Sequence, residues 1–82
     1  MSNVTIYTTP TCAYCKMAKE FFTSNNVSYE EINVAADQVA AQQMIEKSGQ
    51  LGVPVIAIQK DGREEITIGF DQPRLSQLLG IK

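Results

Sequence analysis

Two cysteines stand three positions apart in TTPTCAYCKMAKEFF (residues 8–22), and they are the only thiols in a chain of 82 residues. A Cys-x-x-Cys pair admits three kinds of chemistry: a redox couple, half of a metal site, or none at all, with both residues serving as small apolar packing. A structural zinc site takes four nitrogen or sulfur ligands. The chain has no His and no second cysteine pair, so no closed site forms within one chain; an iron–sulfur cluster bridging two chains stays open. The lack of His also removes a Cys–His nucleophilic dyad.

Position distinguishes the two thiols. Cys12 falls where a strand-like stretch gives way to a helix-like one. There, unpaired N–H groups and the helix dipole favour negative charge by about 0.3–1 kcal/mol, and up to about 2. Lys16 and Lys19, one and two turns along, add to this if they lean back toward the thiol. Cys15 begins inside the helix, and helix geometry sets the two Cα atoms ~5 Å apart, within the ~4.4–6.8 Å that a disulfide spans. Cys12 is therefore the expected nucleophile and Cys15 the resolving thiol. In such a couple Cys12 attacks a disulfide to form a mixed disulfide, and Cys15 then attacks the Cys12 sulfur, leaving a Cys12–Cys15 bond for a separate reductant to open.

The elements that must hold this pair follow from periodicity. VTIYT (residues 4–8) alternates Val4 and Ile6 against Thr5 and Tyr7, as a strand does. From Ala13 the apolar Tyr14, Met17, Ala18, Phe21 and Phe22 recur at helical spacing, and Asn25-Asn26 ends the helix with a left-handed cap. VSYEEIN (27–33) is a weaker strand carried by Tyr29 and Ile32. DQVAAQQMIEKSG (37–49) is a second helix, with Asp37 as N-cap and Gly49 just past its end. A right-handed crossover makes the first two strands parallel. VPVIAI (53–58) is apolar throughout, a buried strand; Asp61-Gly62 signals a hairpin into EITI (65–68). After Gly69, Asp71 is an N-cap, Pro73 sits in the first turn, Leu75, Leu78 and Leu79 form an apolar face, and Gly80 closes the helix. Tyr7, Tyr29, Phe21 and Phe22 are assigned to the core. The order βαβαββα, with a mixed four-stranded sheet flanked by helices, predicts an α/β chain with the thioredoxin-like fold, residues 1–82 making one domain.

Composition narrows the partners. Seven Lys and Arg against nine Asp and Glu give a net charge of −2, and the basic residues are scattered, which argues against nucleic acid. No apolar run approaches the ~20 residues of a membrane span. MSNVTIYTT lacks the features of a signal peptide. The expectation is a soluble cytoplasmic monomer in which a close cysteine pair serves chemistry more than stapling.

IYTTPTCAYC, then GVPVIAI and IGFDQPRL further along, resemble the glutaredoxin family over nearly the whole chain. The pattern is closest to small bacterial glutaredoxin-like proteins of the YruB type, with the NrdH-redoxins as neighbours. The resemblance implies a thiol–disulfide oxidoreductase with no bound cofactor or metal. Glutathione is its reductant or co-substrate, disulfide-containing proteins are its substrates, and thioredoxin reductase is the alternative electron source. It also implies a cis peptide between Val53 and Pro54 facing the thiols, and a glutathione site built from Tyr14, the Val53 backbone, Pro54 and the helix start at Gly69, Phe70 and Asp71. Helix N–H groups suit a carboxylate there, and the Asp71 carboxylate suits an ammonium, which are the two charges of a γ-glutamyl group. The chain departs from many glutaredoxins at Ala13 (for Pro), Thr9 (for Lys), Gly52 (for Thr) and Ile68 (for the first Gly of a pair). The missing lysine removes a charge for a glutathione carboxylate, and Lys47 and Gln50 are candidates to replace it.

Overall fold

Side chains alternate along Asn3–Thr8 (β1), sending Val4 and Ile6 to one face of a sheet and Tyr7 to the other. The computed structural model describes residues 3–50, 52–60 and 62–80. Its elements follow the expected order: β1, a helix Ala13–Ser24 (α1), a strand Glu30–Asn33 (β2), a helix Gln38–Ser48 (α2), two strands Val55–Lys60 (β3) and Arg63–Ile68 (β4), and a helix Gln72–Leu79 (α3). The sheet runs β2-β1-β3-β4. β1 and β2 are parallel, with Thr8 opposite Asn33, whereas β3 lies antiparallel to both β1 and β4. This is the mixed sheet of the thioredoxin-like fold.

Both faces are covered, which explains the unbroken apolar run of β3. Ile56 and Ile58 join Val4, Ile6, Ala18, Phe22 and Leu75 in the layer shared by α1 and α3. Val55 and Ala57 join Tyr7, Ala40 and Met44 in the layer under α2. A strand buried on two sides has no polar face to alternate with. Of the aromatics assigned to the core, Tyr7 and Phe22 are buried, while Phe21 and Tyr29 are half-buried and packed against it.

Several boundaries differ from the sequence pattern. β2 is only four residues long, and Val27–Tyr29 lead into it without pairing; Val27 instead bonds back to Phe22, its N–H 2.8 Å from the carbonyl. β3 begins at Val55, two residues later than predicted, and β4 at Arg63, two residues earlier. Asp61 of the predicted turn lies outside the described residues; Gly62 has φ 78°, the left-handed conformation such a turn demands. In α1 the apolar face is rotated: Tyr14 and Met17 are 62% and 46% exposed, and the buried stripe is Cys15, Ala18 and Phe22. A thiol occupies the place expected for larger side chains.

Local chemistry sets the helix ends. Asp37 accepts from the Ala40 N–H at 3.0 Å, and Gly49 and Gly80 take left-handed conformations at the ends of α2 and α3, where a side chain is disfavoured. At the end of α1, Asn25 has φ −105° and it is Asn26 that turns left-handed, at φ 58°.

Candidate active site

After Thr8 the chain turns through Thr9-Pro10-Thr11, closed by a bond from the Cys12 N–H to the Thr9 carbonyl at 3.3 Å. Cys12 is the N-cap of α1, extended at φ −89°, ψ 111°, and its sulfur accepts the Cys15 N–H at 3.1 Å. A sulfur thus does what a Ser, Thr or Asp oxygen does at other helix starts, and a negatively charged sulfur gains most from that donor. Cys12 is half-exposed, whereas Cys15 is 1% exposed; both are free thiols.

A second stretch of chain faces Cys12. The Val53–Pro54 peptide is cis, and the Cys12 thiol donates to the Val53 carbonyl at 3.7 Å. Pro54 is buried, and its carbonyl accepts the Gly69 N–H at 2.8 Å, with Gly69 at φ 75°. The loop before β3 therefore meets the start of α1 through Val53 and is tied to the end of β4 through Pro54. Phe70 follows, half-buried and edge-on to Phe21 with ring centroids 5.7 Å apart. Asp71 caps α3, accepting the Arg74 N–H at 3.3 Å. Of the residues expected to form the site, Cys12, Cys15, Val53, Pro54 and Gly69 are linked by these bonds. Phe70 and Asp71 adjoin them in the chain, and Tyr14 projects into solvent.

Burial pushes the Cys15 thiol up to about 12, helped by its hydrogen bond to the Cys12 side chain; a backbone bond to Thr9 and the charge of Lys19 act in the other direction. Cys15 thus holds its proton at neutral pH.

The lysines behave differently from expectation. Lys19 does not lean back to Cys12. Its ammonium lies 2.8 Å from Glu31 on β2, and the same carboxylate oxygen accepts the hydroxyl of buried Thr8 at 2.9 Å. The Lys19 hydrogen bond, and then the Thr8 one, hold the Glu31 carboxyl below its ordinary range. These residues, with Cys12 and Lys16, line a cavity of about 520 Å³. Thr8 and Glu31 carried no sequence signal, because 23 residues separate the bonded pair. Lys47 pairs with Glu64 at 3.0 Å and borders a larger hollow, about 620 Å³, whose lining includes Asn3 and Gln59 and neither cysteine. That end of the sheet is remote from Cys12, so Lys47 does not replace a lysine at Thr9.

A dithiol at a helix start, facing a cis-proline loop on a β2-β1-β3-β4 sheet, defines a redox protein of the thioredoxin fold. Residues 4–63 match the family model "Glutaredoxin", and the chain belongs to the glutaredoxin family. It is 41% identical over 76 residues to an uncharacterized glutaredoxin-like 8.6 kDa protein in the rubredoxin operon of Clostridium pasteurianum, covering 93% of this chain and 96% of that one. Among solved structures it resembles a mutant of the thioredoxin-like protein BC3987, with TM-score 0.84, 34% identity and 96% of each chain covered. It also resembles the NrdH-redoxin of Escherichia coli, a glutaredoxin-like protein described as having a thioredoxin-like activity profile, with TM-score 0.78, 28% identity and 93% of each chain covered. Family membership carries thiol–disulfide oxidoreductase chemistry, and the Cys12/Cys15 pair occupies the Cys-x-x-Cys position. Among the described residues no helix is long and apolar enough to cross a membrane, and no three metal-ligating side chains gather.

Proposed function

We propose that the protein is a monomeric dithiol oxidoreductase that reduces protein disulfides or glutathione mixed disulfides, with glutathione returning it to the dithiol form. One observation carries this reading: the Cys12 sulfur caps α1, 3.1 Å from the Cys15 N–H and 3.7 Å from the Val53 carbonyl. A nucleophile in that position has a donor for its negative charge on one side and, on the other, the half-buried Val53 main chain, beside which an extended peptide can pair.

Cys12 thiolate attacks a substrate disulfide, forming one S–S bond and expelling a thiolate that takes up a proton. The Cys12 sulfur then carries no negative charge, which removes one of the influences holding the proton on Cys15. Cys15 loses that proton, attacks the Cys12 sulfur, and the second substrate sulfur leaves as a thiol. The substrate has gained two electrons and the protein holds a Cys12–Cys15 disulfide.

For the return step, the Val53 backbone and the Gly69-Phe70-Asp71 start of α3 offer main-chain pairing, N–H groups and one carboxylate to glutathione. Tyr14 adds an exposed ring beside Cys12. Thioredoxin reductase is the second reading, favoured by the engagement of Lys47 with Glu64, which leaves the charge absent at Thr9 without a substitute from α2. Turnover of a disulfide substrate with glutathione and its reductase, compared with thioredoxin reductase, tests the two. Activity in the first system supports glutathione; activity in the second alone replaces it with the NrdH-redoxin-like alternative.

A further inference from the structure

β2 and β3 lie on opposite sides of β1, so the turn that carries Cys12 has two flanks. Val53 approaches from the β3 side. On the β2 side the cavity of about 520 Å³ opens beside the same cysteine, its lining including Thr9, Lys16, Lys19, Glu31 and Asn33; none of Val53, Gly69 and Phe70 lines it. A volume of that order suits a small ligand or a side chain, and the cavity is separate from the surfaces proposed for the γ-glutamyl group.

Its charges decide what it can accept. Lys19 and Glu31 answer each other across 2.8 Å, which leaves Lys16 as the unmatched charge of the lining. Lys16 stands one turn along α1 from Cys12, its N–H bonded to the Cys12 carbonyl at 3.3 Å, and it is exposed. Among the described residues no carboxylate lies within ion-pair distance of its ammonium, that of Glu20 one turn further along included. Asn33 turns its side-chain oxygen to the Ala35 N–H at 2.9 Å, so its NH2 group remains as a second donor. The positive end of the α1 dipole adds to both. Since the whole chain carries a net charge of −2, an anion is drawn here by local charge and not by the overall field of the molecule.

We propose that this cavity is a subsite for a carboxylate borne by the substrate beside its disulfide, with Lys16 as the ion-pair partner, so that the protein selects anionic disulfides. This rests on the dithiol reading above and concerns its first displacement. In that step the substrate S–S bond breaks, a bond forms from the Cys12 sulfur to one substrate sulfur, and the other sulfur departs with the electron pair. The carboxylate takes no part in the exchange; it holds the disulfide against Cys12. An acidic side chain next to a protein cysteine and a carboxylate of oxidised glutathione share this chemistry. Because Lys16 is exposed, water and salt weaken the pair and the selectivity is modest.

Three small disulfides test the subsite: dithiodipropionate (anionic), bis-hydroxyethyl disulfide (neutral) and cystamine (cationic). Each is mixed with reduced wild type, Lys16→Gln and Lys16→Glu, and the remaining thiols are counted by acid quench, alkylation and mass. Rates are taken relative to the neutral reagent, which cancels any effect of Lys16 on the Cys12 sulfur itself. At low salt, Lys16→Gln should lower the relative rate of dithiodipropionate by roughly two- to fivefold. Lys16→Glu should lower it further and raise that of cystamine, and high salt should bring the three proteins together. Lys60→Gln, which removes the same charge at the end of β3 remote from Cys12, should behave as wild type. A dithiodipropionate rate that ignores Lys16, or that Lys60→Gln lowers equally, overturns the subsite. Oxidised glutathione and a peptide disulfide with Glu beside its cysteine, the latter compared with its Gln counterpart, then name the source of the carboxylate; dependence on Lys16 in neither also overturns it. Failure of the dithiol reading looks different: no disulfide of any charge would convert reduced wild type to the Cys12–Cys15 form.

Discussion

The backbone N–H of Cys15 points at the Cys12 sulfur, 3.1 Å away, while the Cys15 side chain is packed into the core at 1% exposure. One residue therefore supports the Cys12 sulfur with its main chain and keeps its own thiol out of solvent, the asymmetry on which the proposed division of labour rests.

Cys12→Ser is expected to abolish disulfide reduction. Cys15→Ser should still attack through Cys12 and accumulate the mixed disulfide, because nothing remains to resolve it. Intact-mass measurement after exposure to oxidised glutathione checks this: one added glutathionyl group on Cys15→Ser and none on Cys12→Ser. Equal trapping on both variants contradicts the division of labour.

The Cys15 thiol ionises near 9.0 in the absence of the fold and at about 12 within it. Between those values the folded state keeps a proton that the unfolded state has lost, so stability falls as pH rises through that window and is unaffected below it. Reduced wild type should lose more of its unfolding free energy on this climb than Cys15→Ala, whose buried methyl does not titrate. Parallel urea titrations of the two proteins at several alkaline pH values provide the measurement.

Asp71 has two roles to separate. Asp71→Ala loses the cap on α3, costing about 1 kcal/mol of stability. If the carboxylate also holds the γ-glutamyl ammonium, this change raises the glutathione requirement roughly ten- to a hundredfold. Asp71→Asn keeps a capping oxygen and removes the charge. It should therefore melt close to wild type yet show the same raised requirement in a glutathione-coupled assay. Unchanged turnover in Asp71→Asn removes the carboxylate from the proposed glutathione site.

The two faces of α1 should respond very unequally to truncation. Phe22, fully buried against Tyr29 and Phe21, is expected to cost about 3–5 kcal/mol as Phe22→Ala. Met17, 46% exposed, should cost no more than about 0.5 as Met17→Ala. Urea midpoints at constant slope report both.

What could be recognised in the sequence was local. Cys12 at a helix start, Asp37 and Asp71 as caps, and the alternating and continuous apolar runs that became β1 and β3 depend on residues within a few positions of one another. What could not be recognised was tertiary. Lys19 and Lys47 were visible as charges, but their partners Glu31 and Glu64 are 12 and 17 residues away, and only the sheet register brings them into reach. The rotation of α1 was hidden for a related reason. Helical spacing accommodates both a Tyr14–Met17–Phe21 stripe and a Cys15–Ala18–Phe22 stripe, and the choice between them is made by what β1 and β3 offer as a packing surface.

The rims of the sheet are β2 and β4; β4 leaves Ile68 46% exposed, but both rims carry charged side chains held in ion pairs. Glu31 reaches to Lys19 from one rim; on the other, Glu64 reaches to Lys47 and Glu65 to Arg74. Any strand adding itself there, from a second copy or from an unfolded neighbour, would have to strip water from these half-exposed ion pairs before gaining a hydrogen bond, the kind of obstacle that keeps sheet edges from templating aggregation. The ion pairs that fasten helices to the sheet thereby also oppose its growth into a fibril.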